Sequence, residues 1–397
     1  MPAAHYDTLV VGAGAGGLMA GWEAAKRGQR VLIADHAEKP GEKIRISGGG
    51  RCNFTNLHAA PECFLSRNPH FCRSALSRYT PWDFTGLVAG AGIAYHEKTL
   101  GQLFCDGSAR QVVDLLVGGA TSAGAELRLG ASASIPERRA RGFAMMVGGQ
   151  DVTTERVIVA TGGKSIPKMG ATGWGYDVAR HHGLAVTETR PALVPLTLDE
   201  AVKENLKGLV GVAVPARAML AGGKGGGASF DEAVLFTHRG LSGPAILQLS
   251  SYWREGRDVS LDLSPGAPVA YALRAARAEN GRQAARTALS ALIPKSLAAT
   301  LTADEDRPLA ELSNAALEAL AARVHAFTVR PAGSEGYRTA EVTLGGVDTD
   351  GLDQRTMMAR AVPGLHFVGE VVDVTGWLGG YNFQWAWSSG WVAGRAV

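Results

Sequence analysis

The sequence predicts an α/β protein whose parallel, helix-covered sheet draws strands from both ends of the chain, with a second domain inserted between them. Three observations carry this. An apolar, β-branched run, Tyr6–Val11, breaks on Gly12-Ala13-Gly14-Ala15-Gly16-Gly17 and passes into an Ala-rich helical pattern. A second such run, Val157–Ala160, closes on Thr161-Gly162-Gly163, and a third, Leu365–Val368, ends in Gly369-Glu370. Continuous apolar runs of this length suit strands that are covered on both faces.

The first segment is the most specific. Strand, glycine turn and helix are followed by a second buried strand, Arg30–Ala34, and at once by Asp35. That order is the dinucleotide-binding fingerprint, provided that strand and helix really flank the glycines. Gly12 permits the tight turn, Gly14 lets a pyrophosphate approach the backbone, and Gly17 lets the helix lie close to the sheet. Free N–H groups and the helix dipole then hold the phosphates, with Ala15 and Gly16 in the first turn. Asp35 is placed to accept hydrogen bonds from an adenosine ribose, and an acid there disfavours a 2′-phosphate.

The next stretch, Lys43 to Asn56, contains Ser47-Gly48-Gly49-Gly50-Arg51-Cys52-Asn53. Glycines that admit close backbone approach, followed by polar side chains, point to a ligand loop rather than a solvated linker. Lys43, Gly49, Gly50 and Arg51 are therefore assigned to the cofactor. Residues 69–91 and 108–123 read as helices, with Ser108 as a cap, and 126–129, 142–147 and 151–160 read as strands. The return of a buried strand to Thr161 and Gly162, far from the first fingerprint, fits flavoproteins of the glutathione-reductase type better than a simple nicotinamide domain. The adjacent His181 and His182 point about 100° apart on a helix, so they read as a basic helix end and not as metal ligands.

The character changes from about residue 191. Residues 192–237 alternate as short strands around the glycine run 222–227, which lacks the helix and Ser/Thr of a Walker loop and reads as a hairpin tip. Pro244 sits in the first turn of a helix, and 268–300 and 309–327 are helical. The expectation is an inserted domain over 191–339, a small β-barrel followed by a helical bundle. Residues 1–190 and 340–397 then form a discontinuous Rossmann-like domain. In the latter, Gly369 and Glu370 end a strand, and Gly379-Gly380-Tyr381-Asn382 opens an apolar helix. These suit the far end of a bound flavin, Glu370 taking a hydroxyl and the helix N-terminus facing the ring edge that becomes negative on reduction.

Composition narrows the class. The 397 residues are 46% hydrophobic and 19% charged, an ordinary globular balance for two or three domains, and the net charge of +3 neither requires nor excludes a nucleic-acid partner. The four cysteines, Cys52, Cys63, Cys72 and Cys105, form no C-x-x-C pair, so neither a metal site nor a redox disulfide of that spacing is expected. Sparse cysteine and the lack of an apolar run of about 18 residues point to a cytoplasmic protein without a membrane span.

Taken together, the segments GAGAGG at 12–17, SGGGRCNFTN at 47–56, ATGGKSIPKMGATGWGY at 161–176, FTHRGLSGPAILQLS at 236–250, TLGGV at 343–347 and GEVVDVTGWLGGYNFQWAWSSGWVAG at 369–394 resemble the YhiN/HI0933-like family of FAD-binding flavoproteins, often labelled aminoacetone-oxidase-family proteins. Departures are mild: Asp35 stands where Glu is common, and TLGGV replaces TAGGV or TSGGV. The resemblance implies FAD as cofactor. Its branches are linked to bile-acid enoyl reduction and to reduction of a uridine in ribosomal RNA.

The leading expectation is an FAD-dependent oxidoreductase. NADH or NADPH, bound transiently because no second GxGxxG is present, reduces the flavin, which passes hydride from N5 to an activated C=C bond of an unknown substrate. The alternative substrate is a uridine in rRNA, with Arg138, Arg139, Arg141, Lys164, Lys168, Lys203 and Lys207 as possible rim charges. A second alternative is a non-catalytic flavin-binding or redox-sensing protein. Cys52, between Arg51 and Asn53, is the candidate proton donor or substrate contact, with a structural thiol as the competing reading. Tyr381 and Asn382 are candidates to orient a substrate.

Overall fold

The computed structural model describes residues 4–221 and 227–397, so most of the glycine run at 222–227 lies outside the described residues. The chain divides into two compact units, residues 1–190 with 342–397, and residues 191–341.

The first unit is built on strand β1 (Ala4–Val11), helix α1 (Ala15–Ala25) and strand β2 (Val31–Ala34). Parallel strands run in the order 126–128, β2, β1, 150–159, with 365–367 also pairing in parallel to 150–159. An antiparallel meander, 143–147 and 137–138, extends the other side. The last four residues of β1 and the last three of the 150–159 strand are wholly buried, which is why neither end alternates. Helix α2 (Glu42–Gly50) is interrupted from Ser47 to Gly49, and strand β3 (Asn53–Asn56) follows it. β3 pairs with 102–105, which pairs in turn with 95–97, a small antiparallel sheet beside the main one. The last helix, Tyr381–Ala396, packs along α1.

Two elements depart from expectation. The helical stretch at 69–91 is two helices, Arg73–Arg78 and Pro81–Gly90. The break has a local cause. Pro81 disfavours helical backbone at Thr80, whose side chain instead caps the second helix in a reciprocal box with Asp83. β3 lies where the sequence points to a ligand loop, because Asn-Phe-Thr-Asn has no run of apolar residues to mark a strand.

In the second unit, seven strands run in the order 327–329, 259–262, 213–220, 229–236, 240–242, 196–197, 333–334. A short helix, Glu200–Leu206, interrupts the stretch read as strands, and Pro244–Ser250 is helical as its first-turn proline implies. Helices Val269–Glu279, Ala285–Leu289, Lys295–Leu301 and Asn314–His325 occupy the remainder. Among the described residues no helix is long and apolar enough to cross a membrane.

One buried histidine couples this fold to pH. His366 lies in the strand at 365–367, 2% exposed, with Nδ1 2.9 Å from the Thr356 carbonyl oxygen, and burial lowers its pKa from 6.5 to about 4. A depressed folded-state value means that the unfolded chain takes up the proton first. The stabilisation is therefore complete above pH 6.5 and is lost as pH falls toward 4, by up to about 3 kcal/mol. Urea unfolding at pH 7 and pH 4.5 is expected to show this loss in the native protein and a smaller one in His366→Asn. An unchanged pH dependence in the variant contradicts the assignment.

Candidate functional site

The glycine turn after β1 is fixed by contacts that leave little freedom. A Cβ on Gly12 would lie 2.5 Å from the Ala160 carbonyl oxygen, and one on Gly17 only 1.8 Å from the Gly12 carbonyl oxygen. The helix thus starts directly on the turn. Gly14 differs, because its Cβ position meets nothing within 4 Å. Asp35, at the end of β2, closes the turn from the side: Oδ2 accepts the Ala13 N–H at 2.6 Å and Oδ1 accepts the Ala37 N–H at 2.8 Å. Its first task is therefore to tie β2 to the glycine loop. Each carboxylate oxygen keeps a lone pair for a further donor.

A second polar node joins four distant segments. Lys43 Nζ donates to Ser165 Oγ at 2.6 Å and to Glu370 Oε2 at 2.7 Å, and Ser165 Oγ donates to Glu370 Oε1 at 2.9 Å. The Thr343 N–H reaches Glu370 Oε1 at 2.9 Å, while Thr343 Oγ1 accepts the Lys164 N–H at 2.8 Å. Ser165 is fully buried and the Glu370 side chain is 16% exposed, so these are charge-assisted bonds with little water competing. Lys43 and Glu370 were singled out from the sequence. Ser165 and Thr343 were not, although both lie inside segments that were, two residues after Gly163 and in Thr343-Leu344-Gly345.

The third element is the turn before the last helix. A Cβ on Gly380, whose φ is +95°, would lie 2.4 Å from the Thr55 carbonyl oxygen of β3. Asn56 Nδ2 donates to the Gly379 carbonyl at 2.9 Å and to the Leu100 carbonyl at 3.1 Å, and Asn53 Nδ2 donates to Gln102 Oε1 at 2.9 Å. Asn56 and Gln102 were missed in the sequence because nothing local distinguishes them. They matter through partners about 50 and 320 residues away.

Three expected side-chain roles change. Cys52 is 0% exposed, and burial pushes its thiol up to about 12, so it is a protonated packing group that no substrate reaches. Asn382 spends its amide on the turn: Oδ1 accepts the Gly376 N–H, and Nδ2 donates to the Gly376 and Trp377 carbonyls. Tyr381 is 7% exposed, packed edge-on against Phe64 and Trp377. Arg51, in contrast, is exposed and makes no ion pair among the described residues.

The remaining features are glycines with open Cβ positions and polar atoms without partners. The Cβ positions of Gly49 and Gly162, like that of Gly14, meet nothing within 4 Å. Thr161 Oγ1 and Asn53 Oδ1 are buried without a hydrogen-bond partner, an arrangement that native proteins avoid unless something completes it. Among the described residues no cluster of three or more His, Cys, Asp or Glu side chains could hold a metal ion.

A model of the HI0933-like protein Rossmann domain matches residues 6–396. The chain belongs to the HI0933-like family. Within it, the chain is 49% identical to the ribosomal RNA dihydrouridine synthase of Escherichia coli K12, over 98% of each chain. It is 44% identical to the Haemophilus influenzae protein of the same name, over 99% of this chain and 98% of that one. A more distant relative, 28% identical over 98% of each, is the 3-dehydro-bile acid delta(4,6)-reductase of Clostridium scindens. The fold is thus the Rossmann type of FAD-binding oxidoreductases, as the sequence led us to expect.

The two glycines of the first turn separate folding from binding. Gly17→Ala is expected to abolish soluble, cooperatively melting protein, since the new methyl overlaps a backbone oxygen. Gly14→Val, at an extended φ of −86° facing open space, is expected to melt near the native temperature and to purify without flavin colour. A yellow Gly14→Val protein would refute a dinucleotide at this turn.

Proposed function

We propose that this protein is an FAD-dependent reductase that converts a uridine of ribosomal RNA to dihydrouridine, with NADH or NADPH as electron source. The observation that carries the reading is the near-half identity, over almost the entire length, to relatives named for that reaction. The small-molecule reductase, which the residues alone put first, now stands second: the relative named for such a substrate is only 28% identical.

The site's residues support FAD in an extended pose. In this reading the open side of Gly14 and the first turn of α1 take the pyrophosphate, and Asp35 uses its remaining lone pairs on the adenosine ribose. Gly49, Gly50 and Gly162 admit the chain of the cofactor, while Lys43 and Glu370, already locked together, present charge and acceptor to its hydroxyls and phosphates. Thr161 Oγ1 and Asn53 Oδ1 receive the partners that they lack. The N-terminus of the last helix places a positive dipole end where a reduced ring carries negative charge. When bound, the flavin supplies hydride to the C5=C6 bond of uracil, and a proton completes the saturated ring. Burial of Cys52 takes it out of contention as the proton's source; Arg51, which stays protonated, orients the base rather than giving up a proton.

Deletion of the gene, followed by mapping of dihydrouridine in the ribosomal RNA, tests the proposal. Loss of a dihydrouridine that returns with the native gene, but not with Gly14→Val, is the expected result. Unaltered dihydrouridine content in the deletion strain would exclude the reaction. Anaerobic bleaching of the bound flavin by NADH and NADPH in separate cuvettes identifies the reductant.

A further inference from the structure

We propose that the hairpin 95–105, together with the 45–51 loop of α2, is the surface on which single-stranded RNA docks. The inference rests on the ribosomal RNA reading above and specifies which face receives the nucleic acid.

The two segments form one continuous face. The Phe104 ring lies against Gly48, where a Cβ would come within 2.8 Å of it. The Cys105 N–H donates to the Arg51 carbonyl at 2.9 Å, and the Ala109 N–H donates to the Gly50 carbonyl at 2.7 Å. On this face His96 stacks beside Phe104 with ring centroids 6.2 Å apart and planes 17° from parallel, and Lys98 Nζ sits 5.5 Å from the centre of the Phe104 ring. At the hairpin tip Leu100 is 60% exposed, and Ile46, in the 45–51 segment, is 51% exposed.

Two properties of the face need a partner. The first is charge. Arg51, Lys98 and Arg110 are exposed, Arg45 is half-buried, and none of the four makes an ion pair among the described residues. The nearby acids are engaged: Asp106 with His96 Nδ1 at 2.6 Å, and Glu97 with the Gly101 N–H at 3.2 Å. With no carboxylate partner among the described residues, these four cations are free to meet phosphates. The second is shape. Leu100 holds a positive φ of +53° at an exposed position, a conformation disfavoured for a branched apolar side chain. Asn56 fixes it by donating to the Leu100 carbonyl, and the same Nδ2 donates to Gly379. The tip is thereby wired to the turn that opens the last helix, so RNA seated on it lies beside the reacting end of the site. Aromatic and apolar side chains interleaved with unpaired cations are what an unstacked strand requires, bases on the former and phosphates on the latter.

The test uses full-length protein loaded with FAD, and a fluorescein-labelled oligouridine as probe. Lys98→Ala, Arg110→Ala and Leu100→Ser are compared with the native protein by anisotropy across a salt series. Each cation removed is expected to weaken binding roughly three- to tenfold and to flatten the log–log salt slope by about 0.7. Leu100→Ser weakens binding without altering the slope. Flavin content and melting temperature, unchanged in all three, show that the fold and the cofactor site are intact. Native-like affinity and slope in the two charge variants overturn the docking surface, whatever the deletion strain shows. Failure of the function reading is seen separately, as undiminished dihydrouridine in that strain.

Discussion

The first and last helices of this protein meet backbone to backbone, and the rest of the first unit depends on that contact. A Cβ on Gly390 would lie 2.4 Å from the Gly16 carbonyl oxygen, and one on Gly394 2.3 Å from the Ala20 carbonyl oxygen. The C-terminal helix can therefore lie on α1 only because it presents glycine at two positions four residues apart, on one face. That approach closes a Rossmann sheet whose strands come from both ends of the chain. It also brings Gly369, whose N–H donates to Ser389 at 2.9 Å, next to the glycine turn of the first fingerprint. Residues near 16 and near 390 lie together because the two helices carry no Cβ at these two points.

The polar node around Glu370 does a different job at the same junction. Packing fixes distance but not rotation, and a lysine, a serine and a backbone N–H converging on one carboxylate fix both. Burying such a cluster has a desolvation cost, offset only when every acceptor is used. Here both carboxylate oxygens are used. The node therefore holds α2, the 163–165 turn and the 343 segment against the last strand.

How much of this was legible in the sequence depends on the range of the interaction that decides it. The fingerprint was legible because its causes are local: a turn, a helix start and a buried strand leave their marks within thirty residues. The split at Thr80-Pro81 was equally local, and its capping signal was on the page. Cys52 and Asn382 are left open by the sequence for the opposite reason. A thiol beside an arginine, or an amide beside a glycine pair, has the same chemistry whether it serves a ligand or a turn. Only the burial of the thiol, or carbonyls at Gly376 and Trp377, decides which. Asn56 and Gln102 escaped notice on the same grounds.

The small sheet around β3 shows why such residues cluster at one place. Its strands are three to four residues long and could not persist alone. They are held by Phe54 beneath, tilted on Phe84 and edge-on to Tyr95, and by the amides of Asn53, Asn56 and Gln102 along their edge. Amides are suited to this position because each both donates and accepts, so one side chain can tie two backbones without bringing a charge. The charges are thereby left to the outer face, and the inner edge stays neutral against the glycine turn.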